Sequence, residues 1–313
     1  NGTGAEMTTT DAKSTTERYS LNLSSKYVPQ WGAWEVAREI VCNAMDASPD
    51  NVEIVPDGAN RLIVRTPTVP NVAELFVIGE GSKAPGGQTI GQFGEGLKLA
   101  ALVATRTLGG SLTLNLPGKT VTFDFQDLLG VPVLHATVSP KPIHAKGYEA
   151  VIDMQGVAFA CTGKFLEDRS EGPHQVTDRG QTKVYCKGVY IGSFKADALY
   201  DWNLNGLKIN RDRSTVDSFS ISYSVGAWLS AYMTPEIADT IITNPLAWES
   251  DTGMGALIYN SPKMADTLYL AFVPRHGEKA VVSSGNIDID IMARAQGYIV
   301  IGLNDNLFKV VKQ

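Results

Sequence analysis

A single helical stretch limits what this chain can become. From Trp34 to Ala47 the sequence reads Trp-Glu-Val-Ala-Arg-Glu-Ile-Val-Cys-Asn-Ala-Met-Asp-Ala. Trp34, Ala37, Val41, Ala44 and Met45 recur at helical spacing and give the helix an apolar face. Glu39, Asn43 and Asp46 stand at i, i+4 and i+7, with Glu35 one turn earlier, so their side chains form one polar stripe. A carboxylate, an amide and a second carboxylate in line can serve as a base, a metal ligand and a hydrogen-bond acceptor. The competing reading is a solvated helix face, the usual fate of charged side chains.

A second stretch weighs against that competitor. Gly91, Gly94 and Gly96 lead directly into Leu97-Lys-Leu-Ala-Ala-Leu-Val-Ala104, an apolar run that reads as a helix. Glycines at a helix entry let backbone N–H groups approach an anion, and the helix dipole favours negative charge there. Lys98, in the first turn, adds a cation.

Together the two stretches resemble a known superfamily. Glu39-x-x-x-Asn43-Ala-x-Asp46-Ala is similar to the N box of the GHKL ATPases (gyrases, chaperones, histidine kinases and mismatch-repair proteins). Ile90-Gly-Gln-Phe-Gly-x-Gly resembles their glycine-rich second box. The resemblance covers the first half of the chain and implies a Bergerat-type α/β sandwich, with helices on one face of a mixed sheet. It implies Glu39 as the general base that activates water, Asn43 as the holder of Mg²⁺, and Gly91, Gly94, Gly96 and Lys98 as the phosphate cradle for ATP. The segment Phe76–Thr89 takes the place of the family's lid, from which Lys83 could reach a phosphate or remain a solvated side chain.

Two positions depart from the family pattern. Where relatives carry an adenine-reading Asp, this chain has Thr66 in Arg65-Thr-Pro-Thr-Val-Pro70. Thr66 then acts through water, or packing holds the base. Where relatives have Gly-Thr before their last strands, this chain has Gly147-Tyr148. Asp57-Gly58 lies between two strand-like runs and reads as a hairpin turn instead.

At 313 residues there is ample chain for several cores. Residues 1–30 read as a flexible arm with an edge strand at Tyr19–Leu23, and Asn1–Glu6, ahead of the first Met, as an added or processed end. Residues 31–166 read as the ATP domain, with strands at Ser111–Leu116, Thr120–Phe125, Val133–Val138 and Tyr148–Met154. Residues 167–181 read as a polar linker or long loop opening a transducer-like (S5-like) module that extends to residue 235. That module holds strand-like Lys183–Ile191 and a helix from about Val216 to Met233. In relatives a basic residue of this module touches the terminal phosphate. Lys208, Arg211 and Arg213 are the candidates, against a surface ion-pair cluster around Asp212. Residues 236–313 read as a small α/β unit, with strands at Thr267–Val273, Lys279–Val282 and Tyr298–Leu303 and helices at Ile287–Gln296 and Asp305–Val311. The fold class expected for the whole is α+β.

Composition narrows the partners. A net charge of −6 gives no bulk attraction to nucleic acid, so DNA contact would need a local basic patch. No run approaches the ~18 apolar residues of a membrane-crossing helix. Three widely spaced cysteines and four scattered histidines show neither a disulfide framework nor zinc spacing, which fits reduced thiols in a cytoplasmic compartment. Two functions remain: an ATPase, or a nucleotide-gated binding module whose partner surface, including a homodimer contact, forms when ATP orders lid and arm. A degenerate scaffold that binds no nucleotide is a third reading.

Overall fold

The computed structural model describes residues 15–69, 95–141, 147–178, 180–194, 197–207, 209, 217–251, 261–303 and 307. The chain is α+β and divides into two compact units, residues 1–162 and 163–313.

Unit 1 is built on seven strands: β1 (Glu17–Ser24), β2 (Glu53–Pro56), β3 (Arg61–Thr66), β4 (Ser111–Leu116), β5 (Lys119–Leu128), β6 (Val131–Pro140) and β7 (Tyr148–Asp153). Their order is β1-β6-β5-β4-β7-β3-β2, and every pairing is antiparallel. This corrects the expectation of a mixed sheet, because strand direction depends on which segments pair and alternation does not encode that. The hairpin at Asp57-Gly58 joins β2 to β3, with Gly58 at φ +71°. Strand β1 takes the edge that its weak alternation suggests.

Residues directly opposite in antiparallel strands share a face. The register therefore gathers Leu62 and Ile152, Val64 and Ala150, and Leu112 and Leu114 into rows at most 1% exposed. Helices α1 (Ala33–Ala47) and α2 (Gly96–Arg106) cover that face, α1 on β3 and α2 on β4 and β5, and pack against each other. A short α3 (Val157–Ala160) follows β7.

The opposite face is polar. Arg61 pairs with Asp153 at 2.6 Å, and Arg65 pairs with Glu149 at 2.8 Å. The Arg65 guanidinium, helped by the Asn115 amide, holds the Glu149 carboxyl below its usual 4.5. A depressed carboxylate contributes stability that is present above 4.5 and lost as pH falls through its folded value. Because both partners are partly exposed, Glu149→Gln should remove under ~1 kcal/mol at neutral pH. It should also flatten the acid limb of the stability curve below pH 4.5, as read by denaturant titration at stepped pH.

Unit 2 holds a four-stranded sheet of β8 (Gly172–Gln175), β9 (Thr182–Cys186), β10 (Val189–Phe194) and β11 (Tyr200–Asn203), in the order β10-β9-β11-β8. The pair β9–β11 is parallel. Among the described residues the helices that follow are α4 (Ser218–Tyr232), α5 (Pro235–Thr243), α6 (Trp248–Asp251), α7 (Pro262–His276) and α8 (Ile287–Ala295). The last of them joins a two-stranded parallel sheet of β12 (Ala280–Val282) and β13 (Ile299–Ile301). One hydrophobic core centred on fully buried Trp202 draws Val184, Leu229, Ile241, Leu268 and Leu307 together, so it includes both segments read as separate, 167–235 and 236–313. Buried Glu249 ties this core to the sheet by accepting from the Leu199 and Tyr200 N–H groups and from Trp202 Nε1.

Two further expectations change. Thr267–Val273 is helical within α7, where Ser261 caps the helix by accepting from the Met264 N–H and Pro262 fills the first turn. The segment 167–181 is not a plain linker, for β8 within it pairs with β11. The helix expected at Asp305–Val311 lies outside the described residues except for Leu307. Among the described residues, no helix is long and apolar enough to cross a membrane.

Candidate functional site

Helix α1 begins at Gly32, whose N–H donates to Glu35 Oε2 at 2.8 Å. Glu35 is thereby a helix cap and leaves the polar stripe to Glu39, Asn43 and Asp46. The helix is then buried nearly all round. Arg38 is 3% and Glu39 5% exposed, which removes the solvated-face alternative for the start of the stripe. Asn43 and Asp46 are half-buried one and two turns further on. From Glu39 to Asp46 the stripe rises about 10 Å.

Burial of Glu39 is compensated locally. Arg38 donates to Glu39 Oε1 through Nε at 3.1 Å and Nη2 at 3.0 Å. Its guanidinium lies 5.6 Å from the Trp31 ring centroid, where cation–π attraction adds to the ion pair. Trp31 belongs to the loop between β1 and α1, and α2 secures that loop. Arg106, in the last turn of α2, donates to the carbonyl oxygens of Ser25, Tyr27, Val28 and Trp31. The loop includes Val28 at φ +44°, a conformation disfavoured for a β-branched residue and maintained by such contacts. Arg106→Met should take one donor from each of four carbonyls, of which Val28 keeps the Trp31 N–H, and cost about 1–3 kcal/mol, seen as a lower unfolding midpoint for unit 1.

The second stretch meets the first at Gly96. A Cβ placed on Gly96 would lie 2.2 Å from Glu39 Oε2, so a side chain there would push that carboxylate out of the position it holds against the start of α2. The N-terminal end of α2 thus faces Glu39, with the helix dipole oriented to favour negative charge. Lys98, one turn in, is 6% exposed and makes no ion pair among the described residues. A buried ammonium without a carboxylate partner is costly, and a bound anion would relieve that cost.

Thr66 ends β3 and is 4% exposed, and its Oγ1 accepts the Thr68 N–H at 3.4 Å. Opposite it in register stands Tyr148, 2% exposed, whose hydroxyl has no partner among the described residues. Burial pushes the Tyr148 phenol up, so it stays a neutral hydroxyl. Gly147, at φ +125°, leaves no room for a Cβ, which would lie 2.5 Å from the Thr66 carbonyl oxygen.

The structure therefore brings Glu39 and Gly96 together, places Lys98 two residues beyond Gly96 in the same first turn, and sets Thr66 beside Tyr148. Lys83, Gly91, Gly94, Lys208 and Arg211 lie outside the described residues. Arg38 was not among the sequence candidates, because an Arg next to a Glu on a helix reads as solvent-facing charge. Only its proximity to Trp31 could have marked it. Among the described residues no group of three His, Cys, Asp or Glu side chains could hold a metal. Asn43 fits an ion such as Mg²⁺, which takes one or two protein ligands and completes its shell with phosphate and water oxygens. No protein-family model matches the chain, and no curated protein matches it.

Proposed function

We propose that unit 1 is a GHKL-type site of Bergerat architecture that binds Mg–ATP and hydrolyses its terminal phosphate. One observation carries the reading: a buried carboxylate, Glu39, lies against a glycine at the start of a helix whose first turn holds a buried cation that makes no ion pair among the described residues. Hydrolysis of a phosphoanhydride needs charge stabilisation around the phosphoryl oxygens and a base beside the attacking water. Lys98 and the N-terminal N–H groups of α2 supply the first. Glu39 supplies the second, accepting the proton of the water through Oε2 while Arg38 holds Oε1 and fixes the carboxylate plane. Asn43 would hold Mg²⁺, which neutralises phosphate charge. Unit 2 would couple nucleotide state to conformational change, the role implied for Lys208 and Arg211.

A nucleotide-gated module with slow turnover is the second reading, and the Arg38 contact favours it. With Oε1 committed to the guanidinium, the carboxylate can meet a water through Oε2 alone. Slow phosphate release combined with nucleotide-dependent dimerisation, followed by light scattering, would select it.

Calorimetric titration with a non-hydrolysable ATP analogue tests both readings. One site per chain, lost on chelating Mg²⁺, is the expected result. No heat and no thermal shift with any nucleotide would leave only a scaffold.

A further inference from the structure

We propose that copies of this chain associate through unit 2, the outer face of α8 on one copy lying in a groove between α5 and α7 of another. Nucleotide plays no part in this contact.

Helix α8 is amphipathic the wrong way round. Its best-buried side chain is an acid: Asp290, 9% exposed, accepts from the Ser284 N–H and from the Ser283 and Ser284 hydroxyls, and so fastens the helix to the end of β12. Ile287, Ile291 and Met292, by contrast, are 73%, 54% and 62% exposed. At 3.6 residues per turn, Asp288, Ile291 and Met292 fall on the face turned away from Asp290 and half-buried Ala293, and Ile287 borders it. A helix that hides an acid and shows its aliphatic side chains leaves to another surface the burial that normally seats a helix. Its i, i+4 pairs, Ile287 with Ile291 and Asp288 with Met292, have the spacing by which helices dock into grooves.

A receiving surface is present in the same unit. Helices α5 and α7 pack side by side and leave a groove of about 400 Å³, walled by Pro235 and Asp239 from α5 and by Leu270, Ala271, Pro274 and Arg275 from α7. Leu270 is 69% exposed. The lengths match: from Thr267, at the far end of the groove, to Arg275 α7 rises about 12 Å, and α8 is about 13 Å long. Charge sets the direction. Arg275, paired with Asp239 at 3.0 Å, stands in the last turn of α7, and exposed Asp266 lies one turn before Leu270. Helix α8 carries exposed Asp288 in its first turn and exposed Arg294 in its last. Seated antiparallel to α7, it brings Asp288 to Arg275 and Arg294 toward Asp266; seated parallel, like charges meet at both ends. The outer face of α8 is exposed in its own copy, so the helix that fills the groove comes from a second copy. Two such contacts made reciprocally close a symmetric pair, and contacts that do not reciprocate build a ring or a filament.

The test is sedimentation velocity of the full chain over a concentration series, without nucleotide. The wild type should pass from monomer to larger species as concentration rises. Ile291→Asp spoils the helix and keeps the groove, and Leu270→Asp does the reverse. Each alone should associate at least about tenfold more weakly, the loss expected for a charge placed at the centre of an apolar contact. An equimolar mixture of the two variants should recover a two-chain species, since the intact α8 of one fits the intact groove of the other, and that recovery shows both variants folded. A wild type that stays monomeric overturns the proposal. So does unchanged association in either variant, which places the contact elsewhere, or a mixture that stays monomeric. Association that appears only with added Mg–ATP also overturns it, and leaves the nucleotide reading of unit 1 standing.

Discussion

Glu39→Gln should lower kcat for ATP hydrolysis by about 10²–10⁴ while nucleotide affinity stays within about twofold of wild type. Glutamine keeps the shape and an oxygen that can accept from Arg38, so the Arg38 and Trp31 arrangement survives. What disappears is the ability of Oε2 to take a proton beside the start of α2. A split between turnover and binding is therefore the signature of a base, and phosphate release measured beside calorimetric affinity reads it directly. Equal losses in both would make Glu39 a binding or folding residue. Wild-type turnover in Glu39→Gln would remove it from the chemistry, and the hydrolase reading would fail with it.

Much of this site was legible because it is written in local pattern. The spacing of Glu39, Asn43 and Asp46 predicts one stripe, and the glycines before Leu97 predict a helix entry; both elements are present as α1 and α2. The hairpin at Asp57-Gly58 and the strands from Ser111 to Asp153 follow from turn chemistry and alternation in the same way. The losses occurred where tertiary context decides. Thr-Leu-Tyr-Leu-Ala-Phe-Val, residues 267–273, is rich in strand-forming types, yet Met264, Ala265, Leu268 and Phe272 form a helical face. The Ser261-Pro262 start was the available signal. Strand β8 is too short and too polar to stand out, and it exists through its pairing with β11. The burial of Arg38 follows from the loop that Arg106 pins, a contact between residues far apart in the chain.

Arg38→Met carries the largest expected cost to folding. The pair it breaks is 4% and 7% exposed at its side chains, so Glu39 would lose its guanidinium in a poorly solvated site. Breaking one side of a buried ion pair typically costs about 3–5 kcal/mol, most of it the penalty of the charge left behind. Scanning calorimetry should show this as a fall in the transition of unit 1 with the transition of unit 2 in place. The double variant Arg38→Met/Glu39→Gln separates charge from packing, since it removes the stranded carboxylate along with its partner. It should recover at least half of the loss, because two neutral side chains of similar volume replace a buried charge that had lost its guanidinium. If the double variant is as unstable as Arg38→Met, packing of the guanidinium on Trp31, and not charge, holds α1 in place. The same single variant bears on the choice between readings of the site. Turnover per folded molecule that rises in Arg38→Met would identify the ion pair as the brake that keeps hydrolysis slow, and turnover that falls would identify it as the clamp that aims the carboxylate.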